Sequence, residues 1–432
     1  MAISKEQFWA ARPILAFTKR LADAKMVSAY ALLGWVFVER LTMINYKTTY
    51  RSYKPRASLN MILLISGPTG IGKSVAKHLV SEFYDFGINY SHSKPIQAGS
   101  GEAVSDAFFT RVLITDENGL DKWVEDWVNP NHCQIFHNDE IDFHKGKANQ
   151  NSSTMDATYL SLYSGEQLGR KLANFKGREV PAGEYRGIVV FNAQPARDPF
   201  RSAGAVNSGL TSRILNLSAR NPEMDKEFHP LTDLELGTFT VPPLYQERGD
   251  VFMYPDYIAL PEMIAEHQKQ DLQAHLLQRD SSYSHTLLTR AKISCVLAAL
   301  EGRTSLVSED WELAGHLIEH SIQVDAEIKK AIIQEERREA GLAGTNLGHR
   351  LHVADDVKHA RQLGRVVKGI RTHSEALGID LSEGLSTEHR KIIKQRIAHR
   401  DRPLFDDAVW EIENAVKSST PISMEGGEKN EL

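Results

Sequence analysis

Residues 61–74, MILLISGPTGIGKS, restrict the fold more than any other stretch of this chain. An apolar run without polar alternation is the pattern of a strand buried on both faces, as in a parallel sheet wound with helices. It enters a turn where Gly67, Gly70 and Gly72 stand among Pro68, Thr69 and Ile71, and which closes on Lys73, Ser74 and Val75. The spacing is GxxxxGK[ST]. Glycines let consecutive backbone N–H groups turn toward phosphate oxygens, and the start of the next helix adds its positive dipole end. Lys73 is placed to reach the outer phosphates of a nucleoside triphosphate, and Ser74 to give a hydroxyl to Mg²⁺. ATP and Mg²⁺ are therefore the expected ligands of residues 67–75.

A phosphate cradle of this kind needs a carboxylate at the end of a neighbouring strand. QIFHNDEIDFH supplies Asp139 for the metal and Glu140 as general base for the attacking water. The same stretch crowds His137, Asp139, Glu140, Asp142 and His144 together, which is the rival reading of a transition-metal site. Strand alternation puts His137 and Asp139 on one face and turns Glu140 and Asp142 elsewhere, which disfavours that rival. Asn192, closing the apolar run GIVVFNA, is the candidate to orient the water.

Apolar runs at 133–139, 187–193 and 213–219 read as further buried strands, with helical segments in the intervals. The expected class is α/β: a P-loop NTPase core of parallel sheet flanked by helices, over residues 57–220. Residues 1–56 read as an N-terminal helical segment. Its apolar run VSAYALLGWVFV is shorter than the roughly 20 residues that cross a bilayer, so it reads as a buried amphipathic helix. Residues 221–340 read as a linker and helical lid region, with helices at 257–279, 285–300 and 308–339. GLAGTNLGH, at 341–349, reads as a glycine-rich break. A small helical or winged-helix unit is expected over 350–418 and a disordered acidic tail over 419–432.

The start of the sequence lacks the order of a secretion signal, and the two cysteines, Cys133 and Cys295, lack metal or disulfide spacing. A cytoplasmic protein without membrane contact is expected. A net charge of −5 argues neither for nor against nucleic acid.

Arg213 precedes the strand RILNLSA and is a candidate for completing the ATP site of a neighbouring subunit, which would make hydrolysis depend on assembly. Arg290, at the start of a helix, could be brought onto the phosphates by a lid. Residues 169–187 carry Lys171, Phe175, Lys176 and Arg178 about a tight-turn sequence and read as a projecting β-hairpin. Cations for phosphate and an aromatic for base stacking suit single-stranded nucleic acid. QAGSGEAVSDAFF, at 97–109, reads as a tight turn opening a helix. Residues 350–402 are locally basic, with Ser386 as the cap of a basic helix, which suits duplex DNA.

The succession SLNMILLISGPTGIGKS, IFHNDEIDF, GEYRGIVVFNAQP and GLTSRILNL resembles the ATPase module of primase–helicase proteins of bacteriophages and actinobacterial mobile elements. The resemblance covers most of residues 5–325 and implies an AAA+-type core related to superfamily 3 helicases, acting as a ring, with a hexamer favoured. It places the family's P-loop residues on Lys73 and Ser74, its acidic pair on Asp139 and Glu140, its sensor on Asn192 and its arginine finger on Arg213. Ile214 stands where relatives often carry an aromatic after that arginine. Residues 1–56 are too few for a primase domain, so primer synthesis is not expected.

The expected activity is an ATP-dependent DNA helicase or translocase for phage or mobile-element replication. A protein-remodelling or loader ATPase and an ATP-switched DNA-binding regulator or partition factor are the alternatives. A small-molecule kinase is disfavoured, because no acceptor-pocket motif accompanies the trans arginine.

Overall fold

The computed structural model describes residues 3–51, 57–87, 94–115, 119–139, 155–169, 179–198, 200–201, 209–221, 231–244, 246–248, 251–253, 257–259, 264–266, 269–270 and 284–419, with a few single positions between them. Two compact units divide it, Met1–Glu335 and Glu336–Leu432.

The first unit opens with three helices, α1 (Lys5–Ala10), α2 (Pro13–Ala24) and α3 (Ala29–Met43). Ser4 starts α1 with a reciprocal capping box to Gln7, and Pro13 occupies the first turn of α2, where its missing N–H is no loss. The expectation of an amphipathic α3 is corrected. Every residue of α3 except Glu39 is buried, and a helix apolar all round belongs inside the protein. No described helix is long and apolar enough to cross a membrane.

The sheet forms where the apolar runs predict it. β1 (Met61–Ser66) leads through the glycine turn into α4 (Lys73–Phe83). After α5 (Gly101–Asp106) come β2 (Phe109–Thr115) and β3 (Asp121–Trp127), an antiparallel hairpin in an interval that reads as helical. β4 (Cys133–Asn138), β5 (Arg186–Ala193) and β6 (Ile214–Ser218) complete the main sheet. Its order is β4-β5-β1-β6, all parallel, and Ile96 adds a bridge to Phe136 at the β4 edge. Alternation along β1 sorts the core into two layers. Met61, Leu63 and Ile65 face the cluster built by α1–α4, whereas Ile62 and Leu64 face Val104, Phe108, Tyr159 and Leu162.

Two helices follow, α6 (Ser284–Leu300) and α7 (Ser308–Ala376). The helix expected from 257 does not start there: Tyr257–Ala259 is a strand paired with Thr49–Arg51. The glycine-rich break at 341–349 is also corrected, since α7 runs through it. A helical glycine costs about 1 kcal/mol relative to alanine, less than good helix formers on either side recover. Arg12 fastens α2 to the first turn of α7: its Nη2 donates to Asp310 (2.6 Å) and Glu309 (2.9 Å), and Arg303 meets the same Asp310 carboxylate (2.6 Å).

In the second unit the end of α7, α8 (Thr387–Arg396) and α9 (Phe405–Ser419) enclose Ile370, Ile393, Ile397, Phe405 and Val409. Ser386 caps α8 by accepting from the His389 N–H. The described residues of this unit hold no strand, so it is the helical alternative rather than the winged one.

Candidate nucleotide-binding site

The turn after β1 is held from both neighbouring strands: the Gly67 N–H donates to the Ala193 carbonyl at 3.0 Å, and the Ala219 N–H to the Ser66 carbonyl at 2.7 Å. A Cβ on Gly67 would stand 2.8 Å from that of Ala219, which leaves no room for a side chain. Gly72 begins α4 at φ +90°, a conformation that glycine adopts without strain, and contributes no capping side chain. The first N–H groups of α4 thus carry no side-chain cap, and Lys73, Ser74 and Val75 of that first turn line a cavity.

A cavity of about 370 Å³ opens there, lined by Thr69, Gly70, Ile71, Gly72, Lys73, Ser74, Val75, Asp139, Asn192, Ala193, Gln194 and Arg197. The predicted residues Lys73, Ser74, Asp139 and Asn192 therefore come together from three strand ends. The Lys73 ammonium folds back onto the Gly67 and Pro68 carbonyls, at 2.7 and 2.8 Å, and partial burial lowers its pKa. That is a cation lodged against the first carbonyls of its own glycine turn.

Across the cavity floor, the Asn192 amide donates to Asp139 Oδ1 at 3.0 Å and lies 3.2 Å from His137 Nε2. Burial pushes the His137 pKa down to about 4, so the ring is neutral at pH 7. The same Nε2 lies 3.2 Å from Asp139 Oδ1, so the tautomer decides whether it donates to that carboxylate or accepts from Asn192. Asn192 Oδ1 is buried without a hydrogen-bond partner among the described residues. An amide held by its nitrogen, with its oxygen buried and unpaired, is set to accept from a water or ligand. The described residues contain no cluster of three metal-ligating side chains. Glu140, Asp142 and His144 lie outside the described residues, and so do Lys171, Phe175, Lys176 and Arg178 of the expected hairpin.

The two arginines stand apart from the cavity. Arg213 ends the 3-10 turn before β6, and its Nη1 donates to the Gly209 carbonyl at 2.7 Å. Register pairs Ile214 with Ile62 and Ser218 with Ser66, so Arg213 lies at the opposite end of the sheet from the glycine turn. At about 3.3 Å per residue the separation along the strand is roughly 16 Å. Arg290 donates from Nε and Nη2 to the Trp311 carbonyl at 3.0 and 2.8 Å, with its guanidinium over the Trp311 ring. Gln194 and Arg197 join the site without a sequence signal of their own, and His137, singled out in the sequence only for the rival metal cluster, joins it through Asn192. Only strand register, visible after folding, could have brought them forward.

No family model matches the chain, and no curated protein does. Among solved structures, the crystal structure of a full-length MCM homolog from Methanopyrus kandleri is similar over 74% of this chain, at 10% sequence identity and a TM-score of 0.36. The match takes in 61% of that protein's length.

Proposed function

We propose that this chain is an ATP hydrolase of AAA+ type that assembles into a ring and moves along DNA as a helicase or translocase. The observation that carries the reading is the convergence of Lys73, Ser74, Asp139 and Asn192 on one cavity at the end of a parallel sheet. The order β4-β5-β1-β6 puts the strand carrying Asn192 between the strand that leads to Asp139 and the strand that leads into the glycine turn, which supports the reading.

Lys73 exchanges its loop carbonyls for phosphate oxygens when nucleotide enters. The Ser74 hydroxyl and Asp139 carboxylate are hard oxygen donors of the kind magnesium takes, and the ion neutralises phosphate charge when bound. Asn192 orients the attacking water through Oδ1, and Glu140 takes its proton. Arg213, far from its own cavity, reaches that of the next subunit. Lys171, Phe175, Lys176 and Arg178 grip the strand in the channel, and Arg290 acts after a movement that releases it from Trp311.

One observation favours a second reading, a protein-remodelling ATPase. The β2–β3 hairpin exposes Leu113 and Trp123, a cross-strand pair, beside Ile114 and Leu120. Exposed apolar surface of that kind suits a polypeptide partner. The deciding experiment is ATP turnover with and without single-stranded DNA, with particle mass measured alongside. The motor reading expects stimulation by DNA and a multi-subunit particle. A monomer that turns over ATP at the same rate with or without polynucleotide sinks it.

A further inference from the structure

Arg197 lines the same cavity as Lys73, Ser74, Asp139 and Asn192, yet belongs to no motif. It closes the short 3-10 helix Pro195–Arg197, which begins just past the end of β5. Asn192 and Ala193 pair with Ile65 and Ser66, so the chain beyond them runs alongside the glycine turn.

The backbone on either side of Arg197 is fixed. Its own N–H donates to the Gln194 carbonyl at 2.9 Å. The next residue, Asp198, is buried; its carboxylate accepts from the Phe200 N–H at 2.8 Å and from Arg201 Nη1 at 2.5 Å. Arg201 in turn donates to Asp325 at 2.5 Å and to Asn216 at 2.7 Å. A buried network whose members are all engaged holds one backbone conformation. Here it holds the turn that presents an exposed arginine to the cavity.

The charges in the cavity give that arginine a task. Among the described lining residues Lys73 and Arg197 are the cations and Asp139 the anion. With Asp139 committed to the metal side, Arg197 is the one lining cation besides Lys73 that this chain offers the phosphates of its own cavity among the described residues. A guanidinium presents a planar fork of donors suited to two phosphate oxygens at once.

We infer that Arg197 binds the terminal phosphate of ATP held by its own subunit, and so discriminates triphosphate from diphosphate. The inference rests on the ATP reading above and deepens it. The test is equilibrium binding of ADP and of a non-hydrolysable ATP analogue, with Mg²⁺, to the full chain and to Arg197→Ala and Arg197→Lys. Loss of a charge-assisted contact to one phosphate should weaken the ATP analogue about tenfold or more for Arg197→Ala. ADP should change by less than about threefold, and Arg197→Lys should recover part of the loss. A thermal melt of each variant establishes that the fold is kept. An unchanged ratio of the two affinities, whether both fall together or neither moves, overturns the assignment. A wild-type chain that binds neither nucleotide removes the ATP reading itself, a result distinct from an unchanged ratio.

Discussion

At the scale of single residues the site depends on which polar atoms are engaged and which are left open. Lys73 donates to two carbonyls of its own loop, so Lys73→Ala should leave the loop folded while removing the cation from the phosphates. Nucleotide binding measured by titration calorimetry should fall at least about tenfold, with the melting temperature little changed. Asn192 differs, because its amide nitrogen donates to Asp139 and meets His137 while Oδ1 remains open. Asn192→Ala should therefore keep nucleotide affinity and slow turnover by about 10²-fold, the loss typical of one positioned polar group. An equal loss of binding and rate would make Asn192 a structural residue instead. The meeting of Lys73, Ser74, Asp139 and Asn192 was legible in the sequence, because the first two follow a glycine turn and the others stand at the ends of apolar runs. The place of Arg197 was not, because it lines the cavity only once β5 lies beside β1, and the contact of His137 with Asn192 spans 55 positions.

At the scale of elements, buried runs announced all four strands of the main sheet, because a strand covered on both faces must be apolar throughout. The β2–β3 hairpin escaped, since Trp123, Leu113 and the charges between them obey neither period cleanly in an element exposed on both faces. The packing of α7 makes two predictions. Asp310, fully buried, faces the guanidinia of Arg12 and Arg303. Asp310→Ala leaves them without their shared carboxylate and should cost about 3–5 kcal/mol, read from the denaturant midpoint. His320 accepts from the Ser218 N–H at 3.2 Å and stacks on Tyr30, and burial depresses its pKa to about 3. The unfolded chain takes up that proton near pH 6.5, so the unfolded state binds more protons over the interval between the two values. Stability is whole above that interval and falls as pH drops through it, by about 2 kcal/mol at pH 5 from this one ring. Melting at pH 7 and pH 5 should differ less in His320→Gln than in the wild type. An unchanged difference would mean that the ring does not titrate with folding.

The whole molecule raises the question of why a parallel sheet should carry a candidate catalytic arginine at the end away from its phosphates. Register fixes Arg213 beside the start of β1, while the glycine turn follows its end. No side chain spans roughly 16 Å, so if Arg213 serves ATP it serves a second copy's. Such a contact is heterologous: one face gives the arginine and the other the cavity, and repetition of that contact can close a ring. The arrangement can be tested with two inactive variants. Arg213→Ala should assemble to the wild-type mass and hydrolyse ATP at least about 10³-fold more slowly, the loss known for arginine fingers. Lys73→Ala should also assemble and be inactive. Mixed one to one and allowed to exchange, they place an intact cavity from one variant against an intact arginine from the other at about a quarter of interfaces. Turnover should reappear in the mixture although neither component has any. If Arg213 acted within its own subunit, every copy in the mixture would carry a defective site, and activity would stay at the level of the parents. Reappearance of turnover therefore requires a site shared between subunits, and its absence from particles shown by mass to be mixed places the work of Arg213 elsewhere.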